Sequence, residues 1–90
     1  MEIIQFVGKG DAQLMGGNSE EAIVFYRAAL SLDKNCFEAW LGMGLAFNSM
    51  YRYEDALPCY ERALALNRHS ITAECMVEYL RDKVRNYREH

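Results

Sequence analysis

The cysteines and histidines are the side chains most able to bind a metal or to attack a substrate. The cysteines form no C-x-x-C pair, and the histidines lie at no spacing typical of a zinc site. Glu38 lies close to Cys36 and no histidine does, so the pKa of that thiol should rise and the thiol should stay unreactive. We therefore expect no metal site and three reduced, mostly buried thiols in a reducing compartment: Cys36, Cys59 and Cys75.

The string Gly8-Lys9-Gly10 is superficially like part of a phosphate-binding loop. The full G-x-x-x-x-G-K-[ST] motif is missing, and the same glycine pair recurs at Gly42 and Gly44. A recurring pair of glycines indicates close helix packing, not phosphate binding. The sequence shows no Ser/His/Asp, Cys/His or paired-carboxylate arrangement, so we expect no enzymatic activity and no cofactor.

Length and composition bound the class of protein. Ninety residues make one small domain, and the 51% hydrophobic and 26% charged composition is that of a packed, soluble chain. The sequence has no apolar run long enough to span a bilayer, and the first residues lack the pattern of a signal peptide. The net charge of −3 argues against nucleic-acid binding. We expect a cytoplasmic protein that contacts neither membrane nor nucleic acid.

A period of 34 residues organises the chain. When residues 3–36 are aligned on residues 37–70, small and aromatic residues coincide, among them Gly8 with Gly42, Gly10 with Gly44, Ala12 with Ala46, Ala22 with Ala56 and Tyr26 with Tyr60. Internal repeats of this length are typical of stacked helical or strand units. We predict a single domain over residues 1–90, with a first repeat at 3–36, a second repeat at 37–70 and a capping helix at 71–90.

Each repeat divides into two amphipathic helices. The break in the first repeat is predicted at residues 16–19, where adjacent glycines end one helix. Asn18 and Glu21 then have the spacing of a capping box for the next helix. Asn35 and Glu38 have the same spacing and predict a cap at the start of the first helix of the second repeat.

The second break, at residues 50–52, has no glycine, and Tyr51 stands where Gly17 stands in the first repeat. Pro58 falls in the first two turns of the following helix, where we expect a slight bend and not a break. Ser70 should cap a fifth and last helix, and we expect no strand. One apolar stripe runs along that helix, which suits the capped end of a repeat array: Ala73, Met76, Val77, Leu80, Val84 and Tyr87.

The repeat resembles the tetratricopeptide repeat, whose pattern is W-x2-L-G-x2-Y, then A-x3-F, then P. The second repeat reads W-x2-M-G-x2-F from Trp40 and A-x3-Y from Ala56. The first reads F-x2-K-G-x2-Q from Phe6 and A-x3-Y from Ala22. The chain departs from the family pattern where the closing proline is replaced and where polar residues take two apolar positions: Lys34, Arg68, Lys9 and Gln13.

The resemblance implies an all-α fold of five helices, in which antiparallel helix-turn-helix repeats stack as a short right-handed α-solenoid. Gly10 and Gly44 would let paired helices lie close together, and we expect Trp40 to be the main core anchor of the second repeat. First helices would line a concave groove and second helices the convex back. The positions implied for that groove are Ile4, Val7, Asp11, Leu14, Met15, Glu38, Leu41, Leu45, Asn48 and Ser49, then Thr72, Cys75, Tyr79, Asp82 and Lys83.

One subfamily grips a C-terminal carboxylate with lysine and asparagine side chains, and that clamp is absent here. The matching positions carry no cation: Val7, Asp11, Gly42, Thr72 and Met76. We therefore expect a protein-protein interaction module, of adaptor, scaffold or co-chaperone type, that holds an extended peptide or an amphipathic helix by apolar contacts. The alternatives are a homo-oligomerisation module, because two repeats are few for this family, and a regulatory segment of a larger protein. The residues expected to contact the partner are Ile4, Val7, Asp11, Leu14, Glu38, Leu41, Leu45, Asn48 and Tyr79.

Overall fold

Five α-helices follow one another along the chain. The structure, a computed structural model, describes residues 2–88, with side chains for residues 2–86, and that part of the chain contains no strand. Each helix packs on the next, and the first also contacts the third, which is the arrangement of an α-solenoid. The predicted fold class is therefore confirmed. The helices are α1 at Glu2–Met15, α2 at Ser19–Leu32, α3 at Phe37–Ser49, α4 at Tyr53–Leu66 and α5 at Ile71–Arg88.

The turns inside the two repeats have the same backbone geometry although their residues differ. Gly17 has φ = 83° and Tyr51, 34 residues later, has φ = 61°. The N–H of Gly17 donates to the carbonyl of Leu14, and that of Tyr51 donates to the carbonyl of Asn48. A left-handed conformation costs a side-chain-bearing residue roughly 1–2 kcal/mol. The fold therefore imposes this turn on a tyrosine as well as on a glycine.

One of the three predicted helix caps is confirmed. The Ala73 N–H donates to Ser70 Oγ over 3.2 Å at the start of α5. Asn18 does precede α2, but its side chain makes no capping bond and donates Nδ2 to Gln13 Oε1 instead. The capping box predicted for Asn18 and Glu21 is therefore wrong.

The cap predicted at Asn35 and Glu38 is also wrong, because Cys36 and not Asn35 precedes α3, which begins at Phe37. Asp33 Oδ1 accepts the backbone N–H of Asn35 over 2.9 Å, which fixes Asn35 in a turn. The Asn35 side-chain oxygen accepts a bond from Arg62 on α4 over 3.2 Å. Local spacing assigns the Asn35 side chain to a cap, but this side chain bonds to a residue 27 positions further along the chain.

Pro58 does not break α4, which runs unbroken from Tyr53 to Leu66. The residue lies in the second turn, where a missing N–H removes at most one helical hydrogen bond. Its exposed position leaves the buried face of α4 intact. That face presents Ala56, Cys59, Tyr60 and Ala63.

Two tyrosines on the second helices form the centre of the core. Tyr26 and Tyr60 are fully buried, and each ring lies where a glycine on the paired first helix leaves room. A Cβ on Gly10 would lie 2.7 Å from Tyr26 Cε1, and one on Gly44 would lie 3.0 Å from Tyr60 Cε2. The repeated glycines are therefore packing residues, as the period predicts.

Trp40 is only half-buried, so its predicted role as the main anchor of the second repeat is wrong. The indole N–H donates to the Lys34 carbonyl over 2.7 Å, which holds the ring at the edge of the core. The Arg62 guanidinium lies 6.0 Å from the ring centroid. A tryptophan with a polar N–H packs well where one edge can reach a partner, and the fully buried Tyr60 fills the centre instead.

The fifth helix packs its predicted apolar stripe against α4. Ala73, Val77, Leu80 and Val84 are buried, while Tyr87 falls outside the described side chains. The outer face is charged, and Arg81 reaches back to Glu61 on α4 over 3.2 Å. An apolar inner face and a charged outer face are what the end of a solenoid requires.

Candidate partner-binding groove

The predicted groove residues occupy the first helix of each repeat and α5, and most keep accessible surface. Ile4 is 74% exposed, Leu45 37% and Tyr79 49%. Asp11 and Glu38 are exposed as well. The half-buried members are Val7, Leu14, Leu41 and Asn48. The predicted groove positions therefore offer aliphatic, aromatic and acidic surface. Their half-buried aliphatic residues also pack against the core.

Leu41 has a divided environment, which matters for any test of the groove. It packs against the buried core cluster while keeping part of its surface exposed. Leu45, one helical turn further along α3, is the more accessible of the two. A charged substitution at Leu45 therefore probes the surface with less disturbance of the core than one at Leu41.

Asp11 belongs to the groove positions and is also tied to the core. Its Oδ1 accepts a hydrogen bond from the Tyr26 hydroxyl over 2.5 Å. Burial raises the pKa of Tyr26 above its ordinary range, and the bond to Asp11 raises it further. The phenol therefore stays protonated and donates to the carboxylate at neutral pH. In the first repeat the buried tyrosine hydroxyl therefore has a hydrogen-bond partner, Asp11.

The second repeat lacks the equivalent pair. Leu45 occupies the position that Asp11 occupies in the first repeat, 34 residues earlier. The Tyr60 hydroxyl is buried and has no hydrogen-bond partner among the residues that the structure describes. Asn48 Oδ1, on the same helix as Leu45, is buried without a partner in that same range. A buried polar atom left unpaired costs about 1–3 kcal/mol.

A lysine on α5 lies against two aromatic rings. Lys83 Nζ is 5.4 Å from the Tyr53 ring centroid and 5.6 Å from that of Tyr79. The neighbouring Asp82 pairs with Arg85 over 2.8 Å, and within residues 2–86 Lys83 makes no ion pair. Lys83 is thus an exposed cation, beside the exposed ring of Tyr79, that is open to an anionic group.

Within the described residues no group of three His, Cys, Asp or Glu side chains could hold a metal ion. Burial raises the pKa of the Cys36 thiol, and the Glu38 carboxylate adds to the rise, in the direction predicted. Burial also raises the pKa of Cys59 to about 11. Cys75 is exposed, in contrast to the other two. A raised thiol pKa lowers nucleophilicity at neutral pH.

Sequence reasoning missed the unpaired Tyr60 hydroxyl, although the signal is present in the repeat alignment. The two tyrosines align, whereas the residue that pairs with the first one does not: aspartate becomes leucine at position 45. Recognising this requires knowing that Tyr26 reaches Asp11, which is a contact between two helices.

In residues 2–88 none of the helices combines the length and the apolar content that crossing a membrane demands.

Comparison with known proteins supports the family suggested by the motif. Two family models, each described as a tetratricopeptide repeat, match residues 7–36 and residues 37–70. An uncharacterized protein of Methanocaldococcus jannaschii is 34% identical over 53 residues, which are 59% of this chain and 62% of that protein.

Two plant proteins are also similar. Each is named as a probable UDP-N-acetylglucosamine--peptide N-acetylglucosaminyltransferase SPINDLY, from Oryza sativa subsp. japonica at 37% identity and from Hordeum vulgare at 36%. Both matches cover 54 residues, or 60% of this chain, and span only 6% of the length of the plant proteins. The two helical hairpins and the glycine–tyrosine packing agree with both family matches. The chain therefore belongs to the tetratricopeptide repeat family.

Proposed function

We propose that this chain is a protein-binding module of adaptor, scaffold or co-chaperone type, built as one domain from two repeats and the α5 cap. Its partner is an extended peptide or an amphipathic helix that lies in an apolar groove formed by α1, α3 and α5. Repeats of this family are in general protein-protein interaction modules, which supports a protein partner. No cofactor takes part in this binding.

The accessible aliphatic and aromatic surface on these three helices is the observation that carries the proposal. Leu45 and Tyr79 lie at the same groove position on α3 and α5, Ile4 lies at another groove position on α1, and all three keep at least a third of their surface exposed. Exposed apolar residues on three successive helices of the predicted groove support an interaction surface. Asp11 and Glu38 add acidic groups to it.

A peptide-binding assay with matched surface variants tests this function. Linear peptides are selected from a displayed library on the immobilised chain, and the tightest is measured by calorimetry. Leu45→Glu should weaken its binding by about tenfold or more, because a carboxylate would enter an apolar contact. Val24→Glu is the control, since Val24 is exposed on α2, outside the groove. Equal losses for both variants, or a loss for Val24→Glu alone, would contradict the groove.

Self-association is the alternative that a specific feature favours. Met15 and Ile4 are both strongly exposed on α1, and a Cβ added to Gly8 on the same helix would meet no atom within 4 Å. A second copy could cover this surface. Sedimentation equilibrium decides the matter: a molar mass that rises with concentration, and returns to that of one chain in Ile4→Glu, supports a homo-oligomer in place of a separate partner.

A third possibility is that the chain acts as the regulatory repeat segment of a larger protein. The matched plant proteins are much longer than this chain, and their name describes a transferase acting on peptides. In that setting the groove would present a peptide to another domain. The binding assay on the isolated chain serves this alternative as well, because the groove would keep its affinity for peptide.

A further inference from the structure

The difference between Asp11 and Leu45 has two consequences at one place in the second repeat. The Tyr60 hydroxyl loses the acceptor that Tyr26 has, and a leucine side chain becomes 37% exposed. An unpaired buried hydroxyl is unfavourable for the free chain, and an exposed leucine leaves apolar surface in water that a ligand could cover with a gain in free energy. A single ligand that covers the leucine and brings an acceptor would relieve both.

Repeat symmetry gives the direction of the Tyr60 hydroxyl. The Tyr26 ring contacts Gly10 on α1, and its hydroxyl reaches the next residue of that helix, Asp11, on the groove side. The Tyr60 ring contacts Gly44 on α3 in the same way, through Cε2, Cδ2 and Cζ. Its hydroxyl is therefore directed toward the residue after Gly44, which is Leu45. Repeat symmetry thus places the Tyr60 hydroxyl beneath a groove position.

Two buried polar atoms in this region lack a partner among the described residues, and a peptide main chain could bond to both. The Tyr60 phenol, whose pKa burial raises, stays protonated and needs an acceptor. Asn48 Oδ1, one turn from Leu45 on α3, accepts bonds and needs a donor. An extended peptide presents a carbonyl acceptor and an N–H donor alternately along its length. An aliphatic side chain alone would satisfy neither atom.

The positive charge of Lys83 on α5 favours a peptide with an acidic residue. Tyr79 is the α5 counterpart of Leu45, and Lys83 lies one turn beyond it, over the Tyr53 and Tyr79 rings. Lys83 has no carboxylate partner within residues 2–86. A cation held in place by two rings has already lost much of its side-chain freedom, so pairing it costs less entropy. An acidic residue of the ligand complements it.

We propose that α3 and α5 form a subsite for an extended peptide with an aliphatic residue beside an acidic one. The aliphatic side chain lies over Leu45, a main-chain carbonyl accepts from the Tyr60 hydroxyl, and the acidic side chain pairs with Lys83. The subsite rests on the proposed protein-binding function. Binding requires the Leu45 side chain to turn aside from the hydroxyl, and its exposure permits that rotation.

The tyrosine pair provides the test, with peptides selected from an unbiased library of linear sequences as the probe. Tyr60→Phe should weaken binding by about three- to tenfold, because one hydrogen bond is lost. The melting temperature of Tyr60→Phe should stay level or rise, since an unpaired hydroxyl is removed. Tyr26→Phe, the matched control, should lower the melting temperature and leave the affinity unchanged, because its hydroxyl already bonds to Asp11.

Leu45→Asp and Lys83→Gln complete the experiment. Leu45→Asp recreates the first-repeat pair, so it should raise the melting temperature while abolishing measurable binding. Lys83→Gln should weaken binding by about threefold, and only for peptides that contain the acidic residue. A peptide bound equally well by the parent, Tyr60→Phe and Leu45→Asp would overturn the subsite while leaving protein binding standing. If the parent chain selects no peptide, both the subsite and the proposed function fail.

Discussion

The Tyr26 ring fills the space that a side chain on Gly42 would need. A Cβ at Gly42 would lie 2.6 Å from Tyr26 Cε1 and 2.7 Å from its hydroxyl oxygen. Tyr26 belongs to α2 of the first repeat and Gly42 to α3 of the second, so this contact joins the two repeats. The stacking of one unit on the next therefore depends on a missing side chain.

Alanine at Gly42 and at Gly8 should have opposite effects, although the two residues align in the repeat. Gly42→Ala should lower the free energy of unfolding by about 1–3 kcal/mol, because a buried ring cannot move aside without strain. Gly8 has no atom within 4 Å of an added Cβ. Gly8→Ala should raise stability by roughly 0.5–1 kcal/mol through helix propensity. Urea denaturation measures both, and equal effects would show that the repeats do not meet at Gly42.

The buried thiol and phenols predict a loss of stability in alkaline solution. Burial raises the pKa of Cys59 from 9.0 to about 11, and it raises the pKa of Tyr26 and Tyr60 above 10.0. The unfolded chain loses these protons first, so stability is full below about pH 9 and falls as pH rises through the folded pKa values. The slope is up to about 1.4 kcal/mol per pH unit for each group.

Cys59→Ala separates the thiol from the phenols in this alkaline transition. Its stability should fall less than that of the parent through the ordinary range of a thiol, where buried Cys36 still contributes, and fall further where tyrosine begins to ionise. The comparison uses the midpoint of thermal unfolding in the parent and the variant between about pH 8 and pH 11, where thiols and phenols ordinarily ionise. Stability that rises with pH in either protein would contradict the raised pKa values.

Tyr60 should matter more to stability than Trp40, against the expectation from the motif. Tyr60→Ala removes a fully buried ring and should cost about 3–5 kcal/mol, enough to unfold a small domain. Trp40→Ala removes a half-buried ring and one hydrogen bond, and the chain should keep a cooperative melt at a lower temperature. Circular dichroism melts compare the two, and a more stable Tyr60→Ala would reverse the assignment of the core.

Periodicity predicts the helices and their packing residues because both are repeated locally along the chain. The alignment pairs Tyr26 with Tyr60 and Gly17 with Tyr51, and in the structure both tyrosines of the first pair are buried and both residues of the second pair have positive φ. The features that fail depend on contacts made by the turn between α2 and α3. Asn35 bonds to Arg62 and does not cap α3, and the Trp40 indole finds the Lys34 carbonyl at the edge of the core.

The groove residues are predictable as positions but not in their state of exposure. The same family position holds Asp11 bonded to Tyr26 in one repeat and an exposed Leu45 in the next, where the Tyr60 hydroxyl has no partner among the described residues. Half-burial of Leu41 arises from packing with the core and not from its own residue type. Spacing gives the face of a helix, whereas the neighbouring helix decides how much of that face remains open.

The α5 cap is tested by two adjacent substitutions on one helix. Leu80 is fully buried against the core, whereas its neighbour Tyr79 is half-exposed. Leu80→Glu would place a carboxylate in the core, so the chain should lose helical signal or aggregate. Tyr79→Glu should remain folded and monomeric in size-exclusion chromatography. A soluble, fully helical Leu80→Glu chain would show that α5 does not cap the array.

Amide chemical-shift mapping tests most directly whether a peptide binds to the face formed by α1, α3 and α5. The isotope-labelled chain is titrated with the selected peptide, and the perturbed amides are placed on the five helices. We predict that the largest shifts cluster around Leu41, Leu45 and Tyr79, with Val24 on α2 unaffected. Shifts that cluster on α2 and α4, with α3 and α5 unchanged at these positions, would contradict it.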